Sequence, residues 1–169
     1  MLLTNDDIGP RYARLAKLGV SLQQLTEGIE MEKCLGTCAC SELEFECDGE
    51  PINTVFCYCP SCQRLTNSDK WFGVWYPKES VIFTKGKPSV FIRKGDSGKN
   101  MEHMFCSKCS TTVAAFCEIG NFYSIAASCL QTKKDLSPNM LIYTAQAVSW
   151  AQFPKGVPKF AILPPEMGG

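Results

Sequence analysis

Short apolar segments rich in β-forming residues dominate the chain from about Cys38 onward. Residues 43–47 alternate apolar and polar side chains, as expected of a strand with one buried face. Residues 71–76 are rich in aromatic residues and end at Pro77. Further strands are predicted at residues 81–84, 90–92, 113–116 and 122–126. Because glycine and proline separate these segments, we expect a mostly β fold with antiparallel sheets.

The first thirty residues have a helical pattern instead. Residues 10–17 are typical of a short helix, and Ser21 with Gln24 forms a capping box for a second helix with one apolar face. We therefore predict a helical N-terminal extension that packs on the main domain or contacts a partner, with a partly ordered tail as the alternative. The predicted boundaries are 1–30 for the extension, 31–160 for the main domain and 161–169 for a C-terminal tail.

Composition and charge narrow the class of protein. Basic and acidic side chains balance, 17 against 17, so the chain lacks the positive charge of a nucleic-acid-binding surface. No apolar segment is long enough to cross a bilayer, and the first residues lack the basic-then-apolar pattern of a secretory signal. We therefore expect a cytoplasmic protein that binds neither nucleic acid nor a membrane. A homo-oligomer stays open.

Eleven cysteines accompany a single histidine, His103, and seven of the cysteines form three tight clusters. The clusters are Cys38-Ala39-Cys40, Cys57-Tyr58-Cys59-Pro60-Ser61-Cys62 and Cys106-Ser107-Lys108-Cys109. In a reducing compartment, cysteines at this spacing bind metal more often than they form disulfides. Because four thiolates complete a tetrahedral zinc site, seven thiols predict one closed site and one three-cysteine site with an open position.

Spacing alone does not decide which cysteines combine. Cys34 could add an eighth ligand and make both sites structural. A redox function for Cys59 and Cys62 is disfavoured, because the strand–helix setting expected for that motif is missing. His103 is interpreted as structural rather than catalytic. The cysteines interpreted as small buried side chains are Cys47, Cys117 and Cys129.

The three clusters resemble the glutathione-dependent formaldehyde-activating enzyme family, which also includes the domain of centromere protein V. That family has C-x-C near its start, then C-x-C-x-x-C followed by a basic residue and often Leu-Thr-Gly-Ser. Later it has an aromatic residue before C-x-x-C. The corresponding segments here are residues 36–40, 57–68 and 105–109, and the loop at 95–98 is also similar. The likeness spans about residues 33–160.

This resemblance implies an Mss4-like fold, in which β-sheets are built around zinc, with two zinc ions per chain. The ligands implied for a structural zinc are Cys38, Cys40, Cys106 and Cys109. Those implied for a catalytic zinc are Cys57, Cys59 and Cys62, which leave a fourth position for water or a substrate thiol. The reaction implied is that of a carbon–sulfur lyase, in which glutathione as cosubstrate adds to formaldehyde or the adduct is split.

Several residues around the cysteines depart from the family pattern. The departures are Ser41, Asn67 and Ser110 in place of glycine, Tyr58 in place of histidine, His103 in place of arginine, and the stretch 128–131. We therefore expect a substrate that has diverged from formaldehyde. A small aldehyde, a related electrophile, a glutathione adduct or a metabolite intermediate would fit.

Side chains near the three-cysteine site are candidates for substrate contacts. Arg64 could hold a carboxylate such as that of glutathione, or be a solvated surface arginine. Tyr58 lies between two of the cysteines, and we expect it to line the pocket or donate a proton. The predicted catalytic set is Cys57, Cys59, Cys62 and Tyr58. The aromatic residues that wall a pocket or pack in the core are Trp71, Phe72, Trp75 and Tyr76.

The leading hypothesis is a zinc-dependent carbon–sulfur lyase that adds a glutathione-like thiol to a small aldehyde or removes it. The alternative is a non-catalytic, zinc-stabilised binding module akin to centromere protein V. The extension at residues 1–30 favours that alternative, whereas the lack of a basic tail disfavours a chromatin role. A thiol carrier or redox sensor is a third hypothesis.

Overall fold

The computed structural model describes residues 33–132 and 134–167. The helical extension predicted at residues 1–30 lies outside the described residues. The strands are β1 (Cys34–Thr37), β2 (Glu44–Cys47), β3 (Asn53–Cys57), β4 (Trp71–Pro77), β5 (Val81–Lys85), β6 (Ser89–Lys94), β7 (Asn100–Phe105), β8 (Thr112–Cys117), β9 (Phe122–Ala126) and β10 (Met140–Ile142). One α-helix, α1 (Pro60–Thr66), lies between β3 and β4. Within the described ranges, no helix is both long and apolar enough to span a bilayer.

Three strands form a small antiparallel sheet in the order β1-β2-β5. Phe45 and Cys47 of β2 are buried, whereas Glu44 and Glu46 are partly exposed, which confirms the alternation predicted for this segment. Gly36 of β1 is opposite Phe45. A Cβ at Gly36 would come within 2.2 Å of the Phe45 ring, so the ring packs there only because the residue is glycine.

The other seven strands form one sheet in the order β10-β3-β4-β9-β8-β7-β6. Neighbouring strands are antiparallel except β10 and β3, which are parallel. The chain then returns along β10, since Phe160 N–H donates to Leu141 C=O and Leu141 N–H donates to Pro158 C=O, each at 2.9 Å. The predicted mostly β fold is confirmed, and the expected antiparallel pairing holds apart from the β10–β3 pair.

The two faces of the seven-stranded sheet have different environments. Val74, Ile125 and Ala114 are neighbours in register on β4, β9 and β8, and all three are fully buried. They belong to one hydrophobic core with Phe45 of the small sheet. Trp71 and the other residues that alternate with them project from the opposite face. That opposite face carries the candidate site.

Six segments predicted as strands are present, as β2, β4, β5, β6, β8 and β9. The sequence pattern does not predict β1, β3, β7, β10 or α1. In β7, with the sequence NMEHMF, buried His103 occupies a position where the pattern would require an apolar residue. α1 has only seven residues and buries none of them, so it has no apolar stripe to detect.

Candidate metal centres and the adjoining cavity

Four thiols from two distant turns meet in a group that we call the four-cysteine cluster. Its members are Cys38, Cys40, Cys106 and Cys109, whose Sγ atoms all lie within 4.8 Å of one another. The Sγ–Sγ distance is 3.6 Å between Cys38 and Cys40 and 3.7 Å between Cys40 and Cys106. The first pair follows β1 and the second follows β7, so the cluster links the two sheets.

These separations fit a tetrahedral metal site. A zinc–sulfur distance of about 2.3 Å puts the sulfurs of a tetrahedron about 3.8 Å apart. A disulfide would instead bring two sulfurs to about 2.05 Å, and no disulfide joins the four cysteines of this cluster. A set of four thiols with no other ligand type is typical of structural zinc centres. The four-cysteine cluster therefore could hold a metal ion.

A second group, which we call the three-cysteine cluster, forms where β3 leads into α1. It consists of Cys57, Cys59 and Cys62, whose Sγ atoms also lie within 4.8 Å of one another. Cys57 ends β3 and Cys59 is the N-cap of α1, where its Sγ accepts the Cys62 N–H at 3.4 Å. Pro60 starts the helix, at a position where the missing N–H costs nothing. Among the described residues, no fourth cysteine, histidine or carboxylate ligand atom joins this cluster.

The strand–helix setting that the sequence did not reveal around Cys59 and Cys62 is therefore present. β3 ends two residues before Cys59, and α1 begins directly after it. The argument made from sequence against a redox function was wrong on this point. Cys57 is nevertheless a third thiol in the same cluster, and the three thiols together could hold a metal ion.

Protons are distributed unequally over the three-cysteine cluster. Hydrogen bonds with Cys57 and then with Cys62 lower the pKa of the Cys59 thiol. The contact with Cys59 in turn raises the pKa of Cys57 to about 12, and contacts with Cys57 and Cys59 raise that of Cys62. One thiolate is thus favoured beside two thiols. Holding three thiolates this close together would require a cation.

A cavity of about 710 Å³ adjoins the three-cysteine cluster, and Cys57, Cys59 and Cys62 all line this cavity. Trp71 and Trp75 of β4 also line the cavity. Phe72 and Tyr76 alternate with them and do not line it. The Phe72 ring instead packs edge-on against Phe56, with ring centroids 4.7 Å apart. Of the four aromatic residues considered from sequence, two wall the cavity and two pack elsewhere.

Charged and polar side chains lie around the part of the cavity formed by β6, β7 and the loop between them. The Arg93 Nε–H donates to His103 Nε2 at 3.1 Å. Burial, and then the positive charge of Arg93, lowers the pKa of His103 to about 4, so the imidazole is neutral at pH 7. Burial, and then the nearby Asp96 carboxylate, raises the pKa of Tyr143. Arg64 lines the cavity from α1 with an exposed side chain.

Arg93, Asp96 and Tyr143 were not identified from the sequence. The only signal was the loop at residues 95–98, which resembles the family but gives no contact. Tyr143 has φ of 57°, a left-handed conformation that a bulky residue rarely adopts. That strain is a structural sign of a constrained site, and it cannot be read from the residue type.

The expectation that Tyr58 lines the pocket was wrong. Its side chain is fully buried, its ring packs edge-on against Phe153 at 5.1 Å, and it is not among the residues that line the cavity. Its hydroxyl donates to the Gln152 carbonyl at 3.4 Å. Because successive side chains of an extended chain point in opposite directions, Tyr58 turns away from the side on which Cys57 and Cys59 lie.

The remaining cysteines lie outside both clusters. The Cys34 Sγ is 3.1 Å from Thr132 Oγ1, and this thiol joins neither group of clustered ligands in the described part of the chain. Cys47, Cys117 and Cys129 are buried, as expected from their apolar surroundings. Cys117 also lines the cavity.

Residues 33–146 match the family model described as glutathione-dependent formaldehyde-activating enzyme. No curated protein gives a significant match. A crystal structure of a Rhodobacter sphaeroides protein is similar at 19% sequence identity and a TM-score of 0.47, covering 57% of this chain and 87% of that chain. Because the family model spans more than half of the residues, the chain belongs to the glutathione-dependent formaldehyde-activating enzyme family.

Proposed function

We propose that this protein catalyses the reversible addition of a glutathione-like thiol to an aldehyde, as a zinc-dependent carbon–sulfur lyase. The observation that carries the proposal is the three-cysteine cluster, which faces a large cavity and has no fourth ligand among the described residues. A closed four-ligand site is typical of structural zinc, whereas a site with three protein ligands is typical of catalytic zinc. The four-cysteine cluster is proposed to hold the structural ion.

The residues present fit zinc at both places. Zinc is one of the few metals for which cysteine thiolates are preferred ligands. The sulfur–sulfur distances in the four-cysteine cluster also match those of a tetrahedral site. A zinc ion held by Cys57, Cys59 and Cys62 would offer its fourth position to a substrate thiol and lower that thiol's pKa.

The proposed step forms one bond. The substrate thiol loses its proton, and a sulfur electron pair attacks the aldehyde carbon to form the carbon–sulfur bond. The π pair of the C=O bond moves to oxygen, which takes up a proton, so the product is a thiohemiacetal. The reverse step breaks the same bond and returns thiol and aldehyde.

Two protein side chains are proposed to assist this step. Tyr143 lines the cavity, and its hydroxyl, which like that of any tyrosine is protonated at pH 7, can donate a hydrogen bond to the developing alkoxide. It takes the proton-donor role that the sequence suggested for Tyr58. Arg64 is proposed to pair with a carboxylate of the thiol substrate at the edge of the cavity.

The test is to follow thiohemiacetal formation from glutathione and aldehydes by NMR exchange spectroscopy. Wild type should accelerate the exchange, and Cys59→Ala should lose roughly a hundredfold or more of that acceleration. The matched control is Cys47→Ala, which removes a buried thiol of the small sheet and should keep the wild-type rate. Equal rates with and without wild-type protein for every aldehyde would contradict the proposal and favour a binding module.

A further inference from the structure

The floor of the cavity is an apolar surface next to the three-cysteine cluster. Register brings its residues onto one face of the seven-stranded sheet: Cys57 is opposite Trp71, and Trp75 is opposite Ser124. We call the apolar residues of this face that line the cavity the apolar floor. They include Val55, Trp71, Trp75, Ala115, Phe122 and Ile142.

The Trp71 indole is held in place beside the cluster. Its Nε1–H donates to Ser124 Oγ on β9 at 3.0 Å, across the intervening Gly73. A Cβ at Gly73 would lie 2.6 Å from that indole nitrogen and 2.2 Å from the hydroxyl, so only glycine leaves room for this arrangement. Trp75 and Phe122 extend the surface, with ring centroids 4.5 Å apart.

The polar groups of this floor already have partners. Ser124 Oγ accepts from Trp71, and His103 Nε2 accepts from Arg93. Within the described residues, no buried side-chain nitrogen or oxygen lacks a hydrogen-bond partner. The charged groups that line the cavity come from α1, the end of β6 and the loop that follows it, as Arg64, Arg93 and Asp96. The apolar floor can therefore contact an apolar group of a ligand. Arg64 and Arg93 can pair with carboxylates of the ligand, and Asp96 with an ammonium group.

A cavity with an apolar floor and charged side chains at one side is poorly suited to formaldehyde. Formaldehyde has no apolar group, so it gains nothing from two tryptophans and a phenylalanine. The amides and carboxylates of a glutathione-like thiol would lose hydrogen bonds on the floor but can pair with the charged side chains. An apolar substituent on the electrophile is the group that this floor can desolvate favourably.

We infer that the electrophile is an aldehyde with an aryl or branched alkyl group, which lies on the apolar floor while its carbonyl carbon faces the three-cysteine cluster. This inference rests on the proposed function for the reacting group, and the bond formed is the same carbon–sulfur bond. The polar end of the thiol lies toward Arg64 and Arg93.

The inference is tested first by binding, which needs no reaction. The unreactive probes are 2-phenylethanol and methanol, added to the purified full-length protein, with the Trp71 indole N–H followed by NMR. We expect 2-phenylethanol to shift that signal saturably and methanol to leave it unchanged. Ala115→Leu, which fills the cavity, should weaken binding of 2-phenylethanol by about tenfold or more.

A second floor variant, Trp71→Leu, allows the inference to be tested even if Ala115→Leu does not fold. Trp71→Leu removes the indole platform and should also weaken binding of 2-phenylethanol, now followed by ligand NMR. Its matched control is Phe72→Leu, one residue along β4 on the opposite face, which should bind as wild type does. Absence of binding, or binding that both floor variants leave unchanged, would overturn the inference.

Measurements of kcat/KM for a series of aldehydes distinguish this inference from the proposed function. With glutathione, kcat/KM should rise from formaldehyde through propanal to 3-methylbutanal and phenylacetaldehyde, by about fourfold per buried methylene. A preference for formaldehyde would overturn the inference and leave the lyase function standing. Saturable binding of 2-phenylethanol without acceleration of any aldehyde would support the apolar floor and contradict the lyase function.

Discussion

Three residues in left-handed backbone conformation adjoin the cysteine clusters. Ser41, Asn67 and Ser110 have φ of 57°, 51° and 59°. These are three of the positions where the chain departs from glycine in the family pattern. Because glycine adopts positive φ without a Cβ clash, the structure explains why the family uses it there. Serine and asparagine keep the turns closed at a modest cost in backbone strain.

At the same scale, His103 should make stability depend on pH. Its pKa is about 4 in the folded protein and about 6.5 when unfolded, so between these values only the unfolded chain is protonated. The free energy of unfolding should therefore fall as pH falls through this window. Between pH 7 and pH 5 we expect His103 to account for a loss of about 2 kcal/mol. Urea unfolding at the two pH values measures it.

The control for this prediction is His103→Gln, whose side-chain oxygen can still accept from Arg93 but does not titrate. Because other acid-sensitive groups act equally in both proteins, the difference between wild type and variant isolates the histidine. Parallel pH profiles for the two proteins would show that burial does not suppress protonation of His103.

At the scale of elements, the stability of α1 depends on the hydrogen bonds that cap its two ends. With seven residues it is too short to be stable alone, and none of its residues is buried. Cys59 caps its first turn, and Asn67 caps its end by donating its backbone N–H to the Gln63 carbonyl. The Thr66 hydroxyl adds a hydrogen bond to the Cys62 carbonyl at 2.8 Å. The position of Cys62 therefore depends on both caps.

We expect Asn67→Val to destabilise the protein by about 1–2 kcal/mol, because a β-branched residue is strained at positive φ. Thermal unfolding of the zinc-loaded protein measures the change. Asn67→Gly is the matched control, since glycine adopts this conformation freely, and it should stay within about 0.5 kcal/mol of wild type. Equal losses for the two variants would mean that the asparagine side chain, not the backbone conformation, matters at this cap.

At the scale of the whole molecule, the two clusters have different positions. The four-cysteine cluster joins a turn after β1 in the small sheet to a turn after β7 in the large sheet. The three-cysteine cluster belongs to β3 and α1 alone. A metal ion at the first cluster would therefore cross-link the two sheets, whereas one at the second would hold together only one side of the cavity.

Metal analysis of two cysteine variants tests this difference. We predict two zinc ions per chain in wild type, and one in Cys59→Ala with the near-ultraviolet circular dichroism retained. Cys106→Ala should lose its tertiary signal, because a structural zinc contributes about 10–16 kcal/mol, comparable to the whole stability of a domain. One zinc in wild type, or unfolding of Cys59→Ala, would contradict the assignment of a structural and an open site.

Local features of the chain were sufficient to predict six of the strands. Residues 43–47 and 122–126, for example, carry their β character in neighbouring residues, and the turn-forming residues that bound them are also local. The close spacing within each cysteine cluster predicted metal-binding groups for the same reason. β7 escaped prediction because buried His103 interrupts its apolar pattern, and α1 because its seven residues include no buried one and so form no apolar stripe.

The sequence by itself determined the mostly β class with six of its strands, the cysteine clusters and the family, since these depend on residue types and spacings along the chain. Tertiary structure decided which cysteines meet, because Cys40 and Cys106 come together only when the two sheets pack. It also decided that Tyr58 packs away from the cavity while Tyr143 and Arg93 line it. The face on which a side chain lies depends on strand register, and register is a property of paired strands rather than of either sequence alone.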